Sequence, residues 1–106
     1  MTRISPQDCA TMAEVRDSVD RLDEELVALL AERFRYIEAA ARIKPSRDAV
    51  RDERRKAEVI AAARRHAVAA GAPAAVIADL WEQLIEASIA HELGRWDAMR
   101  VNGAAG

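Results

Sequence analysis

The sequence predicts an all-α fold of three helices, one long and two shorter, and three observations support this prediction. Hydrophobic residues make up 51% of the 106 residues but aromatic residues only 4%, and alanine is abundant where valine and isoleucine are scarce, a balance that favours helix over strand. No glycine or proline interrupts residues 11–44. Apolar residues recur there at spacings of three and four, as on one face of an amphipathic helix. A chain of this length is expected to form one domain.

The first predicted helix covers residues 11–44 and follows an N-terminal extension of residues 1–10. Its apolar stripe consists of Val15, Val19, Leu22, Leu26, Leu29, Ile37 and Ala40. The helix is expected to end before Pro45, because proline disfavours a helical conformation in the preceding residue.

Two shorter helices are predicted to follow. Asp52 can cap the free amides at the start of the second helix, and Gly71 suits a left-handed conformation at its end. The third helix is predicted to begin after Pro73 and to run to about Trp96 or Ala98. The helical domain is therefore predicted over residues 11–98, and residues 99–106, which have nothing to bury, are predicted to form a flexible tail.

The length of the first helix predicts a homodimer. At 1.5 Å per residue it would be roughly 50 Å long, whereas a compact domain of this size has a radius of gyration of ~13 Å. Two shorter helices cannot cover its whole apolar stripe. An intertwined dimer with antiparallel long helices is the simplest closed solution.

Composition excludes several classes of function. The net charge of −2 argues against a general nucleic-acid binder. The first ten residues lack the apolar region of a secretory signal, and no apolar run approaches the roughly 18 residues of a membrane span, so a cytoplasmic location is expected. The spacing of Cys9, His66 and His91 matches no metal site, and no glycine-rich phosphate loop or serine nucleophile motif is present. No metal and no cofactor are expected.

Two cations interrupt the apolar stripe of the first helix. With 100° per residue and Leu22 at zero, Arg33 lies at about 20° and Lys44 at about 40°, inside the stripe, while Arg16 lies on its margin at about 120°. An uncompensated arginine in an interface costs on the order of 3 to 5 kcal/mol, so an anion must face Arg33. The residues alone leave open whether that anion is a glutamate side chain or a substrate.

The third helix carries polar residues on its own stripe. Ser88 and Glu92 continue the series Ile77, Leu80, Trp81 and Leu84 one turn at a time. Taken alone, they are the polar end of a stripe, and they gain significance only beside the cations of the first helix. Arg55, three residues after Asp52, is a further cation that can turn inward.

The pattern of these residues resembles a known family. Arg16, the segment Asp20-Arg21-Leu22-Asp23, the pair Leu29-Leu30, Arg33, Lys44 and the segment from Val50 to Arg55 are similar to the all-α (AroQ) chorismate mutases and their close relatives, the isochorismate pyruvate lyases. The similarity runs from about Pro6 to Trp96. It implies an intertwined helical homodimer that acts on a chorismate-like dicarboxylate without a cofactor.

The resemblance also implies roles for individual residues. Arg16 would be donated to the site in trans by the partner subunit. Arg33 and Lys44 would bind the carboxylates and the ether oxygen of the substrate. The remaining positions implied for the site are Asp52 for a hydroxyl contact, Arg55 as another cation, Ser88 near a carboxylate and Glu92 facing the ether oxygen.

Two positions bear on which reaction is catalysed. Many bacterial mutases and lyases have glutamine at the position of Glu92, although some mutases have glutamate. Mutases commonly have a glutamate that holds the ring hydroxyl at the position of Lys56, and the lyases lack it. Asp8-Cys9 and Tyr36-x-x-Ala39-Ala40 resemble the lyases.

Three functions are therefore considered. The first is chorismate mutase, which converts chorismate to prephenate in aromatic amino acid biosynthesis. The second is isochorismate pyruvate lyase, which yields salicylate and pyruvate. The third is a non-catalytic helical dimerisation module, in which Arg33 and Lys44 pair with glutamates such as Glu92.

Overall fold

The computed structural model describes residues 3–105, with side chains as far as Val101, and shows an all-helical chain. Helix α1 spans Met12–Ile43, α2 spans Glu53–Ala70 and α3 spans Ala74–Ala105. Short 3₁₀ helices lie at Pro6–Asp8 and Arg47–Ala49. No strand occurs among residues 3–105, so the predicted all-α fold with three helices is confirmed.

Local signals mark the start of α1 and both ends of α2. Thr11 and Glu14 form a reciprocal capping box before α1: the Thr11 amide donates to the Glu14 carboxylate at 3.0 Å, and the Glu14 amide donates to the Thr11 hydroxyl at 3.2 Å. Asp52 caps α2 by accepting from the Arg55 amide at 3.0 Å. Gly71 ends α2 with φ of 73°, in the left-handed region, as its position predicts.

The chain divides into two compact units, one up to Arg35 and one from Tyr36 onward. In the first unit, the Arg3 guanidinium lies 2.7 Å from the Glu25 carboxylate, which fastens the N-terminal segment to α1. A groove of about 200 Å³ in this unit is lined by Arg3, Ile4, Pro6, Cys9, Val15, Ser18, Val19 and Leu22. None of the described residues up to Arg35 is buried.

The second unit contains the hydrophobic core. Val50, Ile85 and Ile89 are buried together, and the half-buried residues packed against them are Val59, Ile60, Trp81, Leu93 and Trp96. Ala63, Ala67 and Ala78 are also buried, so α2 and α3 present small side chains in this core. A cavity of about 380 Å³ in this unit is lined by residues of α2 and α3.

Helix α3 differs from its prediction in length and in its buried face. It has 32 residues, as many as α1, and extends to Ala105, so the predicted end at Trp96 or Ala98 is wrong. The flexibility predicted from residue 99 onward stays a prediction, and Gly106 lies outside the described residues. Tertiary contacts support the extra length, because Arg100 donates to the Ala41 carbonyl at 2.8 Å. Leu80, predicted on the apolar stripe, is 53% exposed.

No helix in the described chain is both long and apolar enough to span a membrane.

Candidate functional site

Lys44 lies just beyond the C-terminal end of α1, with its ammonium between two oxygens. Its Nζ is 2.7 Å from Glu92 Oε2 and donates a hydrogen bond to the Val50 carbonyl at 3.3 Å. The backbone amide of Lys44 still bonds to the Ala40 carbonyl, at 2.9 Å, so the residue remains in register with the helix. The sequence therefore places a cation at the junction between α1 and the following loop, and the fold directs it toward α3.

Glu92 is the buried carboxylate of this pair. Its side chain is 5% exposed, compared with 29% for Lys44. Burying an unpaired carboxylate is costly, and the ammonium of Lys44 compensates its charge. The approach of Lys44 to Oε2 lacks hydrogen-bond alignment, so the contact is an ion pair with unused hydrogen-bonding capacity at Glu92.

Ser88 lies one turn before Glu92 on α3 and is also buried. Its hydroxyl donates to the Leu84 carbonyl at 2.7 Å. The structure thus places five of the predicted site residues in the second unit, namely Lys44, Asp52, Arg55, Ser88 and Glu92, with Lys44 and Glu92 in direct contact. This contact is the internal pair that the dimerisation-module interpretation predicts.

Asp52 and Arg55, at the start of α2, do not contact Lys44 or Glu92 through any of the hydrogen bonds or ion pairs described. One carboxylate oxygen of Asp52 is used as the N-cap of α2. Arg55 lines the cavity between α2 and α3 together with His66 and Trp81, and its side chain makes no hydrogen bond or ion pair with the described residues. The cation of Arg55 is therefore available, whereas Asp52 has a structural role in this chain.

Arg16 and Arg33 belong to the first unit. Arg16 is exposed and forms no side-chain hydrogen bond or ion pair within the described part of the chain. Arg33 is half-buried, and this burial lowers the pKa of its guanidinium from the ordinary value. Arg33 is engaged in a polar interaction, so it is not a free cation.

Lys56, the position that departs from the mutase pattern, belongs to an ion-pair network between α2 and α3. Its Nζ lies 2.6 Å from Glu82 and 2.8 Å from Glu86, and these hydrogen bonds raise the pKa of the Lys56 ammonium. Arg51 binds Glu86 through two nitrogens, at 2.8 and 3.1 Å. Hydrogen bonds from Arg51 and Lys56 lower the pKa of Glu86 to about 2.

Sequence reasoning missed the partners of Lys56 and the role of Arg100. Glu82 and Glu86 are four residues apart on one helix face, a spacing that presents two carboxylates to a single cation. Arg100 lies four residues after Trp96, and its guanidinium stacks 4.3 Å from the Trp96 ring centroid. Both spacings are visible in the sequence, but the sequence does not show which groups of the other helices these side chains meet.

The chemistry available at Lys44 and Glu92 is electrostatic. An ammonium is a compact positive charge that can stabilise an oxygen atom on which negative charge develops. A carboxyl group accepts hydrogen bonds when ionised and also donates one when protonated. Among the described residues, no group of three or more His, Cys, Asp and Glu side chains is arranged to hold a metal ion.

Comparison with known proteins identifies the family. The sequence model of the family described as chorismate mutase type II matches residues 15–93. An isochorismate pyruvate lyase from Pseudomonas aeruginosa is 34% identical over 96 residues, which cover 91% of this chain and 95% of that protein. The chain therefore belongs to the chorismate mutase type II family, which confirms the resemblance noted in the sequence.

Proposed function

From its membership of the chorismate mutase type II family, we propose that this chain is an enzyme for a chorismate-like dicarboxylate that carries an enolpyruvyl ether. The observation that carries this proposal is the contact of Lys44 with the buried Glu92, at 2.7 Å. Both residues stand at positions that the resemblance implies for binding the ether oxygen. The pair thus places the positive charge of the Lys44 ammonium next to the carboxyl group of Glu92.

The substrate carboxylates require further cations. We propose that Arg33 and Arg55 bind them from the same protomer, with Ser88 near one carboxylate. Arginine suits this task because its planar fork pairs with a carboxylate through two parallel hydrogen bonds. Arg55 has no partner among the described residues, which is consistent with a cation reserved for a ligand. Asp52, besides capping α2, is proposed to contact a substrate hydroxyl through its remaining oxygen.

We propose that the active form is an intertwined homodimer in which Arg16 enters the partner's site. Leu22, Leu26 and Leu29 of the predicted stripe are 37%, 48% and 63% exposed. The described residues of a single chain leave this stripe exposed, and α1 of a second copy would cover it in a symmetric dimer. The guanidinium of Arg16 is exposed and has no partner among the described residues, which is consistent with donation in trans.

Such a site accelerates a pericyclic reaction without a nucleophile. It selects the compact substrate conformer in which the reacting ends meet, and it stabilises negative charge on the ether oxygen as the carbon–oxygen bond breaks. A barrier reduction of ~8 kcal/mol corresponds to about 10⁶ in rate. Several charge-assisted hydrogen bonds of roughly 1.5 to 3 kcal/mol can supply this where they strengthen in the transition state.

The charge of Glu92 bears on the proposed catalysis. The Glu92 carboxylate pairs with the Lys44 ammonium and would face the negative charge that develops on the ether oxygen. An uncharged hydrogen-bond donor at this position would instead leave that ammonium to the substrate.

Among the reactions of this family, we propose isochorismate pyruvate lyase activity as the principal one. The relative from Pseudomonas aeruginosa supports it, since the identity extends over nearly the whole of both chains. Lys56 supports it as well, because a cation held by Glu82 and Glu86 stands where mutases commonly have the glutamate for the ring hydroxyl. The reaction breaks the ether bond and moves one ring hydrogen to the methylene carbon that becomes the methyl group of pyruvate.

Chorismate mutase activity, the first interpretation of the sequence, remains the second candidate. The observation that favours it is Glu92, because the resemblance associates glutamate at this position with some mutases. The same cations would bind chorismate, which is a regioisomer of isochorismate and differs from it in the positions of the ring hydroxyl and of the ring double bonds.

Incubation of the purified protein with isochorismate and, separately, with chorismate tests both activities. Salicylate with an equal amount of pyruvate supports the lyase, and prephenate supports the mutase. If neither substrate is consumed, both activities are excluded and the Lys44 to Glu92 contact is a structural pair of a helical dimerisation module.

A further inference from the structure

Two side chains of α3 bond the carbonyl groups at the C-terminal end of α1. Arg100 donates to the Ala41 carbonyl at 2.8 Å and to the Lys44 carbonyl at 2.9 Å. Trp96 Nε1 donates to the same Lys44 carbonyl at 3.2 Å. The last four carbonyls of an α-helix have no partner within the helix. Trp96 and Arg100, which we call the α3 clamp, supply partners to carbonyls of the last turn of α1 and to the carbonyl of Lys44, which directly follows it.

The clamp is rigid because its two residues support each other. The Arg100 guanidinium stacks on the Trp96 ring with 4.3 Å between the guanidinium carbon and the ring centroid. This stacking orients the planar fork, which donates to the carbonyls of Ala41, Arg42 and Lys44. A cation at a helix C-terminus is also stabilised by the helix dipole. Trp96 in turn packs against the buried cluster of Val50, Ile85 and Ile89.

Lys44 is the residue that the clamp holds most directly. Its carbonyl accepts hydrogen bonds from both clamp residues, and Pro45 follows it, so the helix cannot continue. The ammonium of the same residue lies 2.7 Å from Glu92 at the far end of a flexible side chain. Helix α3 therefore holds both parts of Lys44: Glu92 contacts its side chain, and Trp96 and Arg100, one and two turns after Glu92, bond its backbone carbonyl.

We propose that Trp96 and Arg100 are positioning residues that fix the Lys44 ammonium for the reaction. This proposal rests on the proposed function, in which Lys44 stabilises the ether oxygen. Without the clamp, the last turn of α1 loses its carbonyl partners and frays, so the ammonium is spread over more positions. Misplacement by about 1 Å can reduce turnover on the order of 10²-fold.

The test combines amide hydrogen exchange without substrate and steady-state kinetics with isochorismate or chorismate. In Arg100→Ala, we expect the Lys44 amide to exchange at least ~10-fold faster and kcat to fall about 10- to 100-fold, with KM changed less than about threefold. Arg100→Lys, which keeps the charge without the fork, should recover part of the loss. Trp96→Phe keeps an aromatic ring but lacks the donor, and it should show a smaller change in the same direction.

The matched control is Arg95→Ala. Arg95 is exposed on the same helix and makes no side-chain hydrogen bond or ion pair with the described residues, so this variant removes the same charge and should match the unmodified protein. Faster exchange at Lys44 with unchanged kcat would overturn the proposal, as would unchanged exchange in both Arg100→Ala and Trp96→Phe. Failure of the proposed function is distinguishable, because it appears in the unmodified chain as no turnover of either substrate.

Discussion

The two compact units differ in what covers their apolar residues. In the unit from Tyr36 onward, Val50, Ile85 and Ile89 bury one another, and the buried Glu92 has a cation beside it. In the unit up to Arg35, the described apolar residues are all at least partly exposed, and Leu29 is 63% exposed. The second unit therefore has its own core and a candidate site. The first unit presents cations and an apolar helix face that its own described residues leave exposed.

Arg33→Ala in the first unit should produce the largest effect on activity. Loss of one preorganised donor commonly costs about 10²–10³ in kcat, and we expect a loss of this order with the dimer still folded. Steady-state kinetics measure the loss of kcat, and circular dichroism and sedimentation show whether the dimer is still folded. Arg35→Ala, which removes an exposed cation two residues away, is the control. A variant that falls apart into unfolded monomers would instead indicate that Arg33 has only a structural role at the dimer interface.

Leu26→Glu tests whether the first unit depends on a partner. A carboxylate on the apolar stripe would be buried without a cation, so we expect dissociation of the dimer at micromolar concentration with loss of helix. Ala28→Glu adds the same charge roughly 160° around the helix and should leave the dimer intact. Sedimentation velocity and far-ultraviolet circular dichroism distinguish the two variants. A Leu26→Glu protein that sediments like the unmodified protein would contradict the proposed interface.

Glu92→Gln addresses the site of the second unit. Glutamine removes the negative charge beside Lys44 and donates a hydrogen bond, so under the proposed function it would leave the Lys44 ammonium to the ether oxygen of the substrate. We therefore expect kcat/KM of Glu92→Gln to be at least as high as that of the unmodified protein. Steady-state kinetics with isochorismate and with chorismate measure this. A large loss of kcat/KM in a folded Glu92→Gln protein would argue against Glu92 facing the ether oxygen.

Glu86→Gln should have the smallest effect, and it concerns stability rather than turnover. The pKa of Glu86 is lowered to about 2 from 4.5 by Arg51 and Lys56, so its contribution to folding is complete above about pH 4.5 and is lost as pH falls toward 2. Urea unfolding between pH 7 and pH 2 should show a shallower acid loss in Glu86→Gln. Glu58→Gln, at an exposed position on α2, is the control. Equal acid sensitivity in all three proteins would contradict this assignment.

Much of the fold was predictable because its signals are local. The continuity of residues 11–44, the cap at Asp52 and the left-handed turn at Gly71 depend on neighbours within a few positions. The helical wheel also identified Arg33 and Lys44 as unusual positions on an apolar face. The family was recognised by the resemblance of the segments that carry these cations, and the match of the family model over residues 15–93 confirms it.

The sequence by itself determined the presence of three helices, the caps of α2 and the positions of the site cations on α1, since these depend on residues a few positions apart. Only the tertiary structure decided which groups meet. Glu92 contacts Lys44, Glu82 and Glu86 hold Lys56, and Arg100 extends α3 past its predicted end by bonding the last carbonyls of α1. These partners are separated by 26 to 59 residues, and packing of α2 and α3 around a shared core, not local propensity, brings them together.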